Sequence, residues 1–236
     1  MPIFGIELIN YKPVQNYFLV VDTETSGLPI NWKASYTQEN NWPHIIQIAW
    51  IIYDEHYVEI RRKNHYIKNP DIALDVASQK IHHITHDFLE ANGSSGLEVM
   101  MEFKKDIDRY KPLVIGHFIE FDFHMINVEF SRLGLNDIFN GIDFFCTMNA
   151  SKPYVRNPSV ELLKLNEFYE ELFDEGPENY HNALADTLNT SKIFFHLLKT
   201  GMVDHAAIRK QSDNLLKANE QKTEKSRNFI NRLFPL

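Results

Sequence analysis

The sequence predicts an α/β domain, a mixed β-sheet of about five strands flanked by α-helices. Three observations lead there. Short apolar runs rich in Val, Ile and Phe recur at 17–22, 44–53, 112–118 and 142–147. The stretches between and after them return their apolar residues at helical spacing. The order is three strands, helices, a strand, a helix, a strand, then helices. The early strands are close enough to turn back on one another, and the later ones are separated by helical crossovers.

Each element follows in order. Residues 17–22 read as a buried strand that runs into Asp22 and Glu24. "HIIQIAWIIY", 44–53, is apolar on both faces and so belongs inside the sheet. "HYVEIRRKNHYI", 56–67, has strand-forming residues but carries charge, which suits a more exposed strand. Helices are predicted over 72–91 and 95–110. "PLVIGHF", 112–118, is a short buried strand leading into a helix over 120–134 that Gly134 closes. "IDFFCT", 142–147, is the fifth strand. Helices over 159–173 and 182–199 follow, joined by the loop "DEGPENY". We divide the chain into an extension, 1–14, a catalytic-type domain, 15–201, and a C-terminal helical tail, 202–236. The tail is rich in Lys, Asn and Gln and most simply packs against one side of the domain.

Composition narrows the classes. The chain has 236 residues and is 44% apolar, enough for a full core and too much for a disordered chain. Cys146 is the one cysteine, so a disulfide framework and a cysteine zinc site are excluded, and a reducing cytoplasm is expected. The first residues lack a secretory pattern, and no apolar run is long enough to span a bilayer, so no membrane role is expected. Net charge is −8, from 24 basic and 32 acidic residues. A protein that held nucleic acid by charge alone would be basic. If nucleic acid is the partner, positive charge must come from elsewhere.

The acids supply the chemistry. Asp22 and Glu24 sit two apart on a strand, so both side chains share a face. Like charges so close repel, and a hard divalent cation such as Mg2+ or Mn2+ relieves the repulsion. Alone, this pair reads first as an exposed strand end or a turn. Asp122 falls in the first turn of the helix after "GHFIEFD", in line with Met125, Ile126, Glu129 and Leu133. Alone, it reads as an acid favoured by a helix N-terminus. Asp186 lies in line with Ala183, Thr190 and Ile193, a small, apolar stripe where a carboxylate expects a partner. His181 precedes that helix, and a single histidine there is ordinarily a cap. His82, His83 and His86 include a pair at zinc-ligand spacing but have no evident third ligand, so zinc is not expected there.

Together these segments resemble the DEDDh (DnaQ-like) 3′–5′ exonucleases over about residues 15–200. "VVDTETSGL" is similar to the first motif of that family, "GHFIEFD" to the second and "HNALADTLNTSKIFF" to the third. The resemblance implies a ribonuclease H-like fold. It implies Asp22, Glu24, Asp122 and Asp186 as ligands of two divalent cations, Mg2+ or Mn2+, and His181 as general base. It also implies contacts from Thr25, Gly27 and Leu28 to the terminal nucleotide and from His117 to the strand. The expected reaction is two-metal hydrolysis at the 3′ end of DNA, with RNA as the lesser substrate, releasing nucleoside 5′-monophosphates. Expected partners are single-stranded or frayed 3′ ends, with room for a separate polymerase or repair protein; oligomeric state is left open. One departure is Phe118, where the family usually has Asn, and it bears on pocket shape and substrate choice. The rival readings are a catalytically idle binding or scaffold module on the same fold, and an endonuclease of the same superfamily.

Overall fold

The computed structural model describes residues 16–135, 138–177 and 182–233, with side chains of the last helix described through residue 219. Five strands form one sheet: β1 (Tyr17–Thr25), β2 (Ile45–Asp54), β3 (Glu59–Tyr66), β4 (Leu113–Gly116) and β5 (Phe144–Cys146), in the order β3-β2-β1-β4-β5. β1 pairs antiparallel with β2 and β2 with β3, whereas β4 runs parallel to both β1 and β5. This is the mixed sheet that the strand spacing predicts, and the helices flank it.

Two helical layers cover the faces. Leu19, Val21, Trp50 and Val114 pack with α3 (Gly96–Tyr110) and α4 (Ile119–Arg132) through Phe103, Ile107, Met125 and Ile126. Phe18, Val20, Ile51 and Ile115 pack on the other face with α6 (Leu165–Phe173) and α7 (Ala183–Lys199) through Phe168, Ile193 and Phe194. Phe103, Phe168 and Phe194 are fully buried. At roughly 25 cal/mol per Å2 of apolar surface, such rings dominate the core.

Several boundaries differ from expectation, each for a local reason. The helix expected over 72–91 is two helices, α1 (Val76–His82) and α2 (His86–Asn92). His83 adopts a left-handed backbone that ends the first, and the Thr85 hydroxyl accepts from Phe88 N to start the second. The helix expected from 159 begins at Leu165, where Lys164 N donates to Glu167 Oε2 at 2.9 Å. The fifth strand is shorter than expected, because Thr147–Ala150 turns into the short helix α5.

Both sheet edges are protected. On β3, Arg61, Lys63 and His65 reach Glu102, and Arg61 Nε also meets Asp106 at 2.6 Å. On β5 the outward N–H groups are taken by α8 (His205–Leu233): Phe144 N donates to Ser212 Oγ at 3.1 Å and Cys146 N to Gln211 Oε1 at 2.9 Å. The tail thus contains a helix that caps the open edge.

Candidate active site

The β1 tip carries two of the acids. Phe18 and Val20 bury against α7, and the strand alternation continues that face into Asp22 and Glu24. Asp186 stands in the first turn of α7, buried among Ala183, Thr187 and Thr190. Ligand-type oxygens of Asp22, Glu24 and Asp186 all lie within 4.8 Å of one another. Asp122, in the first turn of α4, is 2% exposed and accepts a 2.7 Å hydrogen bond from Thr23 Oγ1. Thr23 points to the sheet face opposite its two acidic neighbours, so one strand presents two carboxylates on one side and a hydroxyl that holds Asp122 on the other.

The electrostatics are those of buried carboxylates crowded together. Burial, and then the charges of Asp122, Asp186 and Glu24, hold the Asp22 carboxyl well above the ordinary range. Burial and then Asp186 and Asp122 push Glu24 up to about 8. Burial also pushes Asp122 up to about 7, against the lowering pull of the Thr23 hydrogen bond. Buried carboxylates that close together need compensating positive charge. Oxygen-only donors in this number suit a hard divalent cation, so the residues fit one.

The start of α7 is fixed from the sheet. Gln47, fully buried on β2, accepts from Ala183 N at 3.3 Å and donates to Asn64 Oδ1 at 2.9 Å. Asn182 Oδ1 caps Leu184 N at 3.2 Å, and its Nδ2 donates to the Tyr66 hydroxyl at 3.3 Å. His181 lies outside the described residues, immediately before this clamped cap. Neither Thr23 nor Gln47 was anticipated from sequence. A signal existed for Gln47, the one polar residue within "IIQIAWII".

The remaining predicted residues take distinct positions. Thr25 is buried, and its hydroxyl donates to the Gly27 carbonyl at 2.7 Å, which tightens the turn leaving β1. Leu28 follows, 73% exposed. His117 has both ring nitrogens engaged, Nδ1 with Thr147 Oγ1 at 3.0 Å and Nε2 with the Leu163 carbonyl at 3.2 Å. A carbonyl can only accept, so Nε2 carries the proton, and the single Thr147 hydroxyl proton faces both Nδ1 and the Gly116 carbonyl, the latter at 3.3 Å. Burial pushes this ring down to about 4. Phe118 caps α4 with a left-handed backbone, φ 71° and ψ 45°. That costs a residue with a Cβ about 1–2 kcal/mol, where Asn pays less. His82 turns inward, and its Nδ1 accepts from Ile84 N at 3.0 Å, so the three-histidine segment forms no metal cluster among the described residues.

Comparison with known proteins accords with this geometry. The exonuclease model RNase T matches residues 19–194. The DNA polymerase III PolC-type of Staphylococcus aureus is 27% identical over 201 residues, which cover 84% of this chain and 13% of that protein. The chain therefore spans only a small part of that curated relative. Exonuclease I of E. coli in complex with a dT13 oligonucleotide aligns at TM-score 0.64 and 17% identity, over 78% of this chain and 41% of that one. The zinc-ion-bound form of the same enzyme with single-stranded DNA aligns at TM-score 0.62 and 17% identity, over 78% and 43%. These likenesses show a shared fold, the ribonuclease H-like one. The family model spans most of the chain and all four acids fall within it: the chain belongs to the RNase T exonuclease family, the DEDDh (DnaQ-like) group of the ribonuclease H-like superfamily.

Proposed function

We propose that this chain is a metal-dependent 3′–5′ exonuclease that releases nucleoside 5′-monophosphates, with single-stranded DNA as preferred substrate and RNA as a lesser one. The observation that carries the reading is the convergence of Asp22, Glu24 and Asp186 within 4.8 Å at the tip of the central strand. Asp22, Glu24, Asp186 and Asp122 would hold two divalent cations, Mg2+ or Mn2+. Bound there, the cations would supply the positive charge that the phosphate needs and that the acidic chain lacks. His181, with an ordinary pKa near 6.5, would take a proton from the attacking water. The Gln47–Ala183 and Asn182–Tyr66 bonds fix the helix start that His181 precedes. Leu28 would lie against the terminal base. The oligonucleotide-bound Exonuclease I structures support a single strand as ligand, and the PolC-type relative supports work beside a polymerase.

The test is one time course. Purified protein receives 5′-labelled single-stranded DNA and RNA of one sequence with Mg2+, with Mn2+ and with EDTA, beside Asp186→Asn. The expected result is a metal-dependent ladder shortening from the 3′ end, faster on DNA and absent in the variant. Internal cuts would indicate an endonuclease. Intact strands in every lane would indicate an idle binding module.

A further inference from the structure

Phe118 is unusual in two respects. Its backbone is left-handed, at φ 71°, a conformation better suited to Asn or Gly. Its ring is 40% exposed, although the residues that follow it on α4 are largely buried. The ring is not isolated. It stacks on Phe121 with centroids 6.3 Å apart and planes 18° apart, and it packs on Trp32 at 6.0 Å. Trp32 also meets Phe121 at 6.0 Å and Trp42 at 6.5 Å.

This aromatic patch joins two of the three elements that carry the carboxylates, the β1 end and α4. Trp32 lies in the loop that leaves the Asp22–Glu24 strand. That loop is braced by Ile30 N to the Asn41 carbonyl at 3.0 Å and by Trp42 Nε1 to the Ser35 carbonyl at 2.9 Å. Phe118 stands one turn before Asp122. It also forms part of the wall of a cavity of about 380 Å3, with Ile119, Cys146 and Leu215.

We infer that Phe118, backed by Trp32 and Phe121, is a stacking surface for one unpaired base of the strand whose scissile phosphate lies at the carboxylates. The inference rests on the exonuclease reading above. It follows from a shortage of charge. With a net charge of −8 the chain gains little from general attraction to a polyanion. Stacking needs no charge, and every base offers a π-face. Phe118 caps the helix whose first turn carries Asp122, and its ring is packed on Trp32 and Phe121 yet 40% exposed. A stacked base accounts for an exposed phenylalanine kept at a position where its backbone is strained.

The experiment measures binding apart from turnover. Full-length protein in Ca2+ is titrated with a fluorescent single-stranded oligonucleotide. It is then titrated with versions carrying one abasic site stepped through the six nucleotides at the 3′ end. Phe118→Ala is expected to weaken binding of the intact strand about tenfold to a hundredfold, the range for loss of one stacked base. Phe118→Tyr retains binding. At one abasic position the wild type loses the same factor and Phe118→Ala loses none. Phe118→Asn, which suits the left-handed backbone, melts higher than wild type yet binds as weakly as Phe118→Ala, which separates stacking from folding. Equal binding of the intact strand by Phe118→Ala and wild type overturns the stacking surface. So does an equal deficit of Phe118→Ala at every abasic position. Turnover is scored separately with Mg2+. A wild type that binds but never trims overturns the exonuclease reading. A wild type that trims, with Phe118→Ala binding normally, overturns the stacking surface alone.

Discussion

His117 should make the fold acid-sensitive in a specific window. Its ring is held neutral between Thr147 and the Leu163 carbonyl, and burial pushes its pKa from the ordinary 6.5 down to about 4. Between those values the unfolded chain binds a proton here that the folded chain does not. The stabilisation is therefore complete above about pH 6.5 and is lost as pH falls toward about 4. At about 1.4 kcal/mol per pH unit the full loss is roughly 3 kcal/mol, or nearer 2 after allowance for partial exposure of the ring. The perturbation is His117→Gln, whose amide can serve both partners but cannot titrate. Urea unfolding in EDTA, followed by circular dichroism from pH 7.5 to 4, gives stability against pH for both proteins. The raised carboxyls of Glu24 and Asp122 act with the opposite sign, since their contribution is present at low pH and lost as pH rises toward about 8 and about 7. They are common to both proteins and cancel in the difference. The wild type should lose about 2–3 kcal/mol more than the variant between pH 7 and 4. Parallel curves would refute the account of a buried neutral ring.

Other outcomes follow from the same geometry. Asp186→Asn should lower exonuclease turnover at least a hundredfold, several kcal/mol of lost transition-state stabilisation. Its metal-free form should melt higher than metal-free wild type at pH 8, and Mn2+ should raise the melting temperature of the wild type alone, all three read by gel and calorimetry. Gln47→Leu leaves the Ala183 N–H without its buried partner, so unfolding free energy should fall by about 1–3 kcal/mol and turnover should fall with kcat rather than KM. Thr23→Val removes the hydrogen bond that lowers the Asp122 pKa. The acidic limb of the pH–rate profile should then move to higher pH.

The elements with strong periodicity were legible in the sequence. "FLVVDTE" shows its apolar core and its acidic tip in a single run, and "HIIQIAWIIY" shows burial on both faces. Asp22, Glu24 and Asp186 could be placed because each sits on a regular element whose period sets the direction of the side chain. What could not be read was partnership across the chain. Thr23 meets Asp122 across 99 residues and Gln47 meets Ala183 across 136, and no local pattern encodes either bond. The break between α1 and α2 turns on cap geometry at His83 and Thr85, where helical spacing simply continues in the sequence. The left-handed backbone of Phe118 was equally hidden, because phenylalanine does not advertise it.

The cap on β5 bears on how the chain becomes a domain. Residues 19–194 contain all but the first two residues of the sheet and all four acids, yet the groups that seal the last strand, Gln211 and Ser212, lie beyond them. During synthesis the sheet can assemble in full while one edge still presents bare N–H groups. That edge stays sticky until some seventeen further residues have emerged and α8 has formed. A fragment trimmed to the matched segment would carry the whole site and still be prone to pair with its own copies. The completed chain ends that interval itself, by laying its own helix along the last strand.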